Sequence, residues 1–356
     1  MLQTRNSSQF TMLKTKQISV PGYEKVVMAT DEASKLHAVI AVHSTALGPA
    51  LGGIRMFLYA SEKKALEDAL KLAKAMTYKA AISDLNLGGG KAVVMGNPNW
   101  DKSRNLFLAL GEFIHQLGGI YIAAEDSGIK TEDLDILSEK TSYVTGTTCL
   151  KNGSGDPSPA TAWGILVGIQ TCCQEVLGSS NLRNLTVAIQ GIGQVGWALA
   201  KRLEAVGARL IVSDISEKRV KEAEKILKVK VVSPQEIHSV KADVFSPCAL
   251  GGVLNSKTIG EIQAKIVAGG ANNQFEDETK DSIRLSKRGI LHAPDYVINA
   301  GGLIQLYVKE ILKKEDITPW IKGIDKTLSK IFRLSKERKQ PPLLIAHELA
   351  EEKIRK

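Results

Sequence analysis

The chain has 356 residues, 44% hydrophobic and 24% charged, with a formal net charge of +9. No apolar run reaches the ~18 residues that a membrane-spanning helix needs. The lysines are scattered and only 5% of residues are aromatic, so the basic charge reads as a solvated surface, not as a nucleic-acid-binding stripe. The length predicts two domains. Cys149, Cys172, Cys173 and Cys248 form no C-x-x-C pair, and the adjacent two sit in an apolar helical run. Core packing in a reducing cytoplasm is the expectation. Residues 1–11 lack the apolar core of a signal peptide and are expected to be frayed; one arginine is thin support for a transit peptide.

Val26–Met28 and Leu36–His43 read as strands joined by a polar turn. Leu47-Gly-Pro-Ala-Leu-Gly-Gly53 reads as a loop by its glycine and proline. Ser61 suits an N-cap and Glu62 a first helical turn. Leu66, Leu70, Ala73 and Thr77 then recur at helical spacing, delivering Lys79 at the helix end. The triple glycine Gly88–Gly90 precedes a short strand, Ala92–Met95. A helix over Phe107–Leu117 and a strand over Tyr121–Ala124 lead into Glu125-Asp126-Ser-Gly128.

A stretch rich in Gly, Ser, Thr and Pro from Thr145 to Pro159 marks the domain boundary, and a long helix from Ala160 to Leu177 follows. Strands are predicted at Leu185–Gln190, Arg209–Ser213, Ala242–Phe245 and Lys265–Ala268, with helices over Gln194–Val206 and Ser216–Leu227. Alternation of this kind means a parallel, doubly wound α/β sheet. Pro341–Lys356 forms a charged amphipathic helix.

Gly191-Ile192-Gly193-Gln194-Val195-Gly196, followed by Trp197, is a G-x-G-x-x-G run that leaves a strand and opens a helix. Gly191 permits the tight turn, Gly193 lets backbone approach a pyrophosphate, and Gly196 lets helix and strand pack closely. The helix N-terminus would face the phosphates. Asp214, 23 residues after Gly191, ends the next strand. An acid there can accept from ribose hydroxyls and repels a 2′-phosphate, so NAD is favoured over NADP.

Two lysines flanking bare backbone, Lys79 and Lys91, suit a pocket that holds a carboxylate and performs amine chemistry. One can bind an α-carboxylate as a plain cation. The other, in a dry site near a like charge, can lose its proton near neutral pH and act as a base. Asp126, at the end of a strand and before a glycine, could exchange protons with a substrate amine. A lone lysine is most often a surface cation; Lys91 departs from that by its glycine and apolar neighbours.

These residues resemble the glutamate/leucine/phenylalanine/valine dehydrogenases, most closely the leucine branch, from about Val26 to about His347. Leu85-Asn-Leu-Gly-Gly-Gly-Lys-Ala-Val-Val-Met-Gly-Asn-Pro98 fits the family's active-site pattern throughout. Leu47–Gly53, Met76-Thr-Tyr-Lys79, Ala124–Gly128, Pro157-Ser-Pro-Ala-Thr161, Pro247-Cys-Ala-Leu-Gly-Gly252 and Ala293–Gly302 are further matches. The resemblance implies a two-domain α/β fold with a cleft between the domains. Residues 12–147 would form a substrate-binding and oligomerisation domain, with the C-terminal helix, about 338–356, expected to pack back on it. Residues 148–337 would form an NAD-binding Rossmann domain. It further implies Lys91 as the catalytic base, Asp126 as the proton-transfer acid, Lys79 as carboxylate ligand and Asn299 as a contact near the nicotinamide. It implies a homo-oligomer, an octamer among leucine enzymes, a small-molecule amino-acid substrate, and no metal.

Glutamate enzymes of the family carry a lysine just before the glycine pair that here is Gly52-Gly53; this chain has Leu51. Leu306 stands where they place a second polar residue, and Leu303 lies one turn earlier. An anionic side chain among Leu51, Leu303 and Leu306 would be buried unpaired, costing several kcal/mol. The resemblance therefore implies oxidative deamination of branched-chain amino acids. Leucine enzymes carry smaller valines at the Leu303 and Leu306 positions, which would shift this pocket toward valine by roughly 1–3 kcal/mol per methylene. The alternatives are a phenylalanine or other apolar amino-acid dehydrogenase, or a catalytically silent NAD-binding paralogue.

Overall fold

A computed structural model describes residues 13–148 and 154–355. The expectations for residues 1–11 and Cys149 lie outside the described residues. The chain divides into two compact units, Met1–Ala81 with Asn86–Gly153, and Ile82–Leu85 with Ser154–Lys356.

The first unit holds strands β1 (Lys14–Gln17), β2 (Lys25–Asp31), β3 (Leu36–Ser44), β4 (Ala50–Phe57), β5 (Gly88–Met95) and β6 (Tyr121–Glu125), with helices α1 (Glu62–Ile82), α2 (Arg104–Gln116) and α3 (Thr131–Ser138). The strand order is β1-β2-β3-β5-β4-β6, antiparallel from β1 to β5 and parallel from β5 through β4 to β6. Side chains alternate across this sheet with the strand period of two. Ala38, Ile40 and Val42 of β3 share a core with Phe107, Leu110 and Phe113 of α2. Val39 and Ala41 share the opposite core with Ala65, Ala69 and Ala73 of α1. The alanine ridge, repeating every four residues, lets α1 lie close to the sheet. Ser61 caps it as expected, its Oγ accepting from Lys64 N at 3.3 Å.

The expected loop at Leu47–Gly53 is corrected: β4 begins at Ala50, and β5 takes in the whole triple glycine. These glycines serve close approach, not turning. A Cβ on Gly52 would lie 1.7 Å from the Gly90 carbonyl oxygen, and one on Gly89 2.0 Å from Thr77 N of α1. Gly89 thus seats the last turns of α1, and with them Lys79, against β5.

The second unit holds α4 (Ser158–Leu177), β7 (Thr186–Gln190), α5 (Gln194–Ala205), β8 (Arg209–Ser213), α6 (Glu217–Ile226), β9 (Val229–Val231), β10 (Val244–Pro247), α7 (Thr258–Glu261), β11 (Ile266–Val267), α8 (Glu278–Lys287), β12 (Leu291–His292), α9 (Asp295–Ile298), α10 (Gly301–Leu306), a π-helical turn at Tyr307–Ile311, α11 (Thr318–Arg338) and α12 (Pro342–Ile354). Its six strands run in the order β12-β11-β10-β7-β8-β9, and every pairing is parallel. This is the doubly wound sheet that the alternation predicts, with its switch point between β7 and β10. Cys172 and Cys173 are buried in α4, as their apolar run predicts. The C-terminal helix, expected to return to the first domain, is grouped by its contacts with the second unit. There α12 lies against α8, α11 and β12, with Leu343 in the core. Among the described residues no helix is long and apolar enough to cross a membrane.

Candidate active site

In the first unit, Lys91 is buried in the middle of β5. Its parity places it with Gly89 and Val93 on the α1 face of the sheet. β4 lies next to β5, and β6 lies beyond β4. Lys91 Nζ nevertheless donates to Asp126 Oδ2, just past the end of β6, at 2.5 Å. The pair crosses β4 at Gly53, where a Cβ would lie 2.6 Å from Asp126 Cβ. Gly53 is bare because the ion pair occupies its side-chain space.

Arg55, two residues on along the same face of β4, is a residue that the sequence reading missed. Its Nε donates to Asp126 Oδ2 at 3.1 Å, and its Nη1 donates to Asp68 Oδ2 of α1 at 3.1 Å. Tyr59 Oη donates to the same Asp68 oxygen at 2.5 Å. Both cations therefore hold Oδ2 of Asp126, while Oδ1 lies 3.5 Å from Ser127 Oγ. The period of two from Leu51 through Gly53 to Arg55 was the available signal.

Burial pushes the Lys91 amine below the ordinary lysine range, against the pull of Asp126, and Arg55 pushes it the same way. Burial alone would raise the Asp126 carboxyl. The ammonium of Lys91 and the guanidinium of Arg55 outweigh it and hold Asp126 below the usual carboxylate range. The result is a dry amine poised to lose a proton beside a firmly ionised acid.

Lys79 is half-buried in the last turn of α1, eleven residues after Asp68. Eleven residues are about three helical turns, so both lie on one face of α1. Leu51, buried at 2% exposure, shares the Lys91 face of the sheet and pairs with Gly89.

In the second unit, Gly191 has φ +89°, and a Cβ there would sit 2.8 Å from Ala249 Cβ in the loop after β10. A Cβ on Gly196 would lie 2.0 Å from the Gly191 carbonyl oxygen. Above Gly193, the N-cap of α5, the nearest atom to such a Cβ is Arg219 Nη1 at 3.8 Å. This is bare backbone at a helix N-terminus on the switch point, a cradle suited to a pyrophosphate. Gln194 is exposed at its mouth, and Val195 and Trp197 are half-buried in the first turns of α5.

Asp214 does more than its position suggested. Its Oδ2 accepts from Ile192 N at 2.9 Å and its Oδ1 from Ser216 N at 2.8 Å. It clamps the glycine loop, and Ile192 gives its amide to that clamp. Asn299 Nδ2 donates to Asn272 Oδ1 at 2.8 Å and to Gly270 O at 3.2 Å. Its Oδ1 is buried without a partner, an acceptor suited to an amide donor such as a nicotinamide carboxamide. Leu303 and Leu306 are half-buried, one turn apart on α10. Among the described residues no group of three or more His, Cys, Asp or Glu could hold a metal.

Residues 19–143 match the Glu/Leu/Phe/Val dehydrogenase dimerisation domain, and residues 212–337 match the glutamate/leucine/phenylalanine/valine dehydrogenase domain. Leucine dehydrogenase of Thermoactinomyces intermedius is 46% identical over 334 residues, 93% of this chain and 91% of that protein. Phenylalanine dehydrogenase of Lysinibacillus sphaericus is 42% identical over 320 residues, 88% of this chain and 84% of that protein. The crystal structure of L-tryptophan dehydrogenase from Nostoc punctiforme superposes with a TM-score of 0.82 at 40% identity, covering 94% of this chain and 96% of that one. The chain belongs to the glutamate/leucine/phenylalanine/valine dehydrogenase family and is a nicotinamide-dependent oxidoreductase of the amino-acid dehydrogenase type.

Proposed function

We propose that the chain catalyses NAD-dependent oxidative deamination of branched-chain L-amino acids, leucine, valine and isoleucine, to 2-oxo acids, ammonia and NADH. The buried Lys91, ion-paired to the partly exposed Asp126, carries this reading. Lys79 binds the substrate α-carboxylate, while Leu51, Leu303 and Leu306 present apolar surface to its side chain. The Gly191–Gly196 loop and Trp197, with Asp214 and Asn299, would hold the dinucleotide, which when bound would supply the hydride acceptor for the α-carbon. Lys91, as the neutral amine, takes a proton from the water that attacks the imine carbon. Asp126, through Oδ1, exchanges protons with the nitrogen so that it leaves as ammonia. Exclusion of water keeps the amine poorly solvated and its proton loosely held. The assembly is proposed as a homo-oligomer, an octamer as in leucine enzymes, working in the cytoplasm.

Support for the apolar preference is Leu51, buried on the Lys91 face where a carboxylate-binding lysine would be needed for glutamate. Support for NAD is Asp214 at the end of β8, where an acid can accept from ribose hydroxyls and would repel a 2′-phosphate. The test is formation of NADH or NADPH from leucine, valine, isoleucine, phenylalanine, tryptophan and glutamate, each with NAD and with NADP. The expected result is turnover of the branched aliphatic substrates with NAD. Glutamate, an aromatic substrate or NADP as the best partner would overturn the corresponding part.

A further inference from the structure

The Lys91–Asp126 pair does not stand alone, because a guanidinium ties it to a second carboxylate on a different element. Arg55 Nε reaches Asp126 and its Nη1 reaches Asp68, each at 3.1 Å. The cluster is asymmetric in exposure. The Lys91 side chain is 6% exposed, whereas those of Arg55, Asp126 and Asp68 are 27%, 26% and 28% exposed. The dry end holds the amine and the wetter end holds the charges that bias it. With Lys91 protonated, two cations face two carboxylates and the cluster is neutral. Arg55 favours loss of the Lys91 proton, and Asp68 opposes it. Tyr59 Oη, donating to Asp68 at 2.5 Å, draws off part of that opposing charge.

We propose that Arg55 is a positioning residue that sets the protonation of the Lys91–Asp126 pair, with Asp68, trimmed by Tyr59, as its counterweight. The proposal rests on Lys91 being the catalytic base. The groups that act on Lys91 come from three elements: Arg55 from β4, Asp126 from the end of β6, and Asp68 from α1, whose last turn also carries Lys79. Tyr59 follows β4, and Tyr121 lies on the other face of β6, its hydroxyl donating to Gly52 O at 2.6 Å. Of these, only Arg55 touches both carboxylates among the described hydrogen bonds. Two opposed levers on one amine make a signed prediction that a simple structural salt bridge does not. Removing the guanidinium removes a cation near Lys91 and near Asp126, so both hold their protons to higher pH. Removing the Asp68 charge does the reverse.

The experiment compares wild type with Arg55→Gln, Arg55→Lys, Asp68→Asn and Tyr59→Phe in two ways. The first is the pH profile of kcat/KM for oxidative deamination. The second is the pH dependence of Lys91 acetylation by acetic anhydride, followed by mass spectrometry on the intact enzyme, which needs no turnover. In Arg55→Gln both curves should move to higher pH by about one unit, the size expected of one lost neighbouring charge. Asp68→Asn should move them by less and to lower pH, Tyr59→Phe slightly to higher pH, and Arg55→Lys should stay near wild type. Should Arg55→Gln fail to fold, the downward shift in Asp68→Asn decides alone. Loss of kcat with the Lys91 labelling curve unmoved, or moved the same way in both charge variants, overturns the proposal. An enzyme that oxidises no amino acid overturns the functional reading instead, and the labelling curves still decide the role of Arg55.

Discussion

The side-chain space of Gly53 is filled by Asp126: a Cβ on Gly53 would lie 2.6 Å from Asp126 Cβ and 2.7 Å from the Glu125 carbonyl oxygen. One is the bare point of a central strand and the other the acid that its bareness admits. Gly53→Ala must push Asp126 away from Lys91 or bend β4. A misplacement of about 1 Å can cost ~10²-fold in rate, and kcat/KM should fall by that order while circular dichroism stays native. Activity within a factor of two of wild type would show that the pair tolerates displacement.

Burying an amine for chemistry weighs against stability. The folded state holds the Lys91 proton less tightly than the unfolded chain, whose lysine titrates near 10.5. Between the depressed folded value and 10.5 the unfolded state binds more protons, so stability rises with pH across that window and the penalty is fully present below it. Lys91→Met removes this slope. It should abolish turnover, by at least ~10²-fold, with NADH binding intact and a melting temperature near neutral pH at or above that of wild type. Asp126 keeps its Arg55 partner, so the remaining acid is not stranded. Turnover that survives would refute Lys91 as the base.

In the proposed reading, the two leucines of α10 would set a size limit on the substrate side chain. Wild type should prefer valine to leucine, and Leu303→Val with Leu306→Val should shift the ratio of kcat/KM toward leucine by roughly 10-fold or more. An unchanged ratio would mean that the backbone of α10 absorbs the lost volume, a freedom that the π-helical turn directly after it makes structurally accessible.

His292, buried in β12 against Phe275, has its ring held neutral, its pKa pushed down to about 3 by burial from an ordinary 6.5. The unfolded chain takes up this proton as pH falls below 6.5 and the folded one does not until about 3. Stability is therefore lost progressively on acidification across that window, by up to about 5 kcal/mol. His292→Gln should flatten the dependence of melting temperature on pH between 6 and 4, whatever its effect at pH 7. An equally steep decline would place the acid sensitivity elsewhere.

The sequence was most legible where periodicity and chemistry coincided. The alternation from Leu185 onward predicts the parallel sheet, and the glycine fingerprint falls on its switch point. Lys91 and Asp126 were legible as a chemical pair, though only the fold brings them to 2.5 Å. The glycines of β4 and β5 misled because their usual use is in turns, and close approach leaves the same mark in sequence. Arg55 was overlooked because its partners lie 13 and 71 residues away; the period of two along β4 gives its face but not what it meets there. For α12, an amphipathic pattern says that one face is covered but not by which unit.

Helix α1 runs unbroken for 21 residues, with Asp68 and Lys79 on one side of it. Both residues ride on one continuous helix, so a rigid tilt of α1 moves them together. If Lys79 grips the substrate carboxylate, any such tilt that tightens or loosens that grip also carries Asp68 toward or away from Arg55. Substrate capture and the readiness of the base are then a single mechanical variable. Changes of substrate preference are left to positions off this helix, such as Leu51, where pocket shape can vary without retuning the amine.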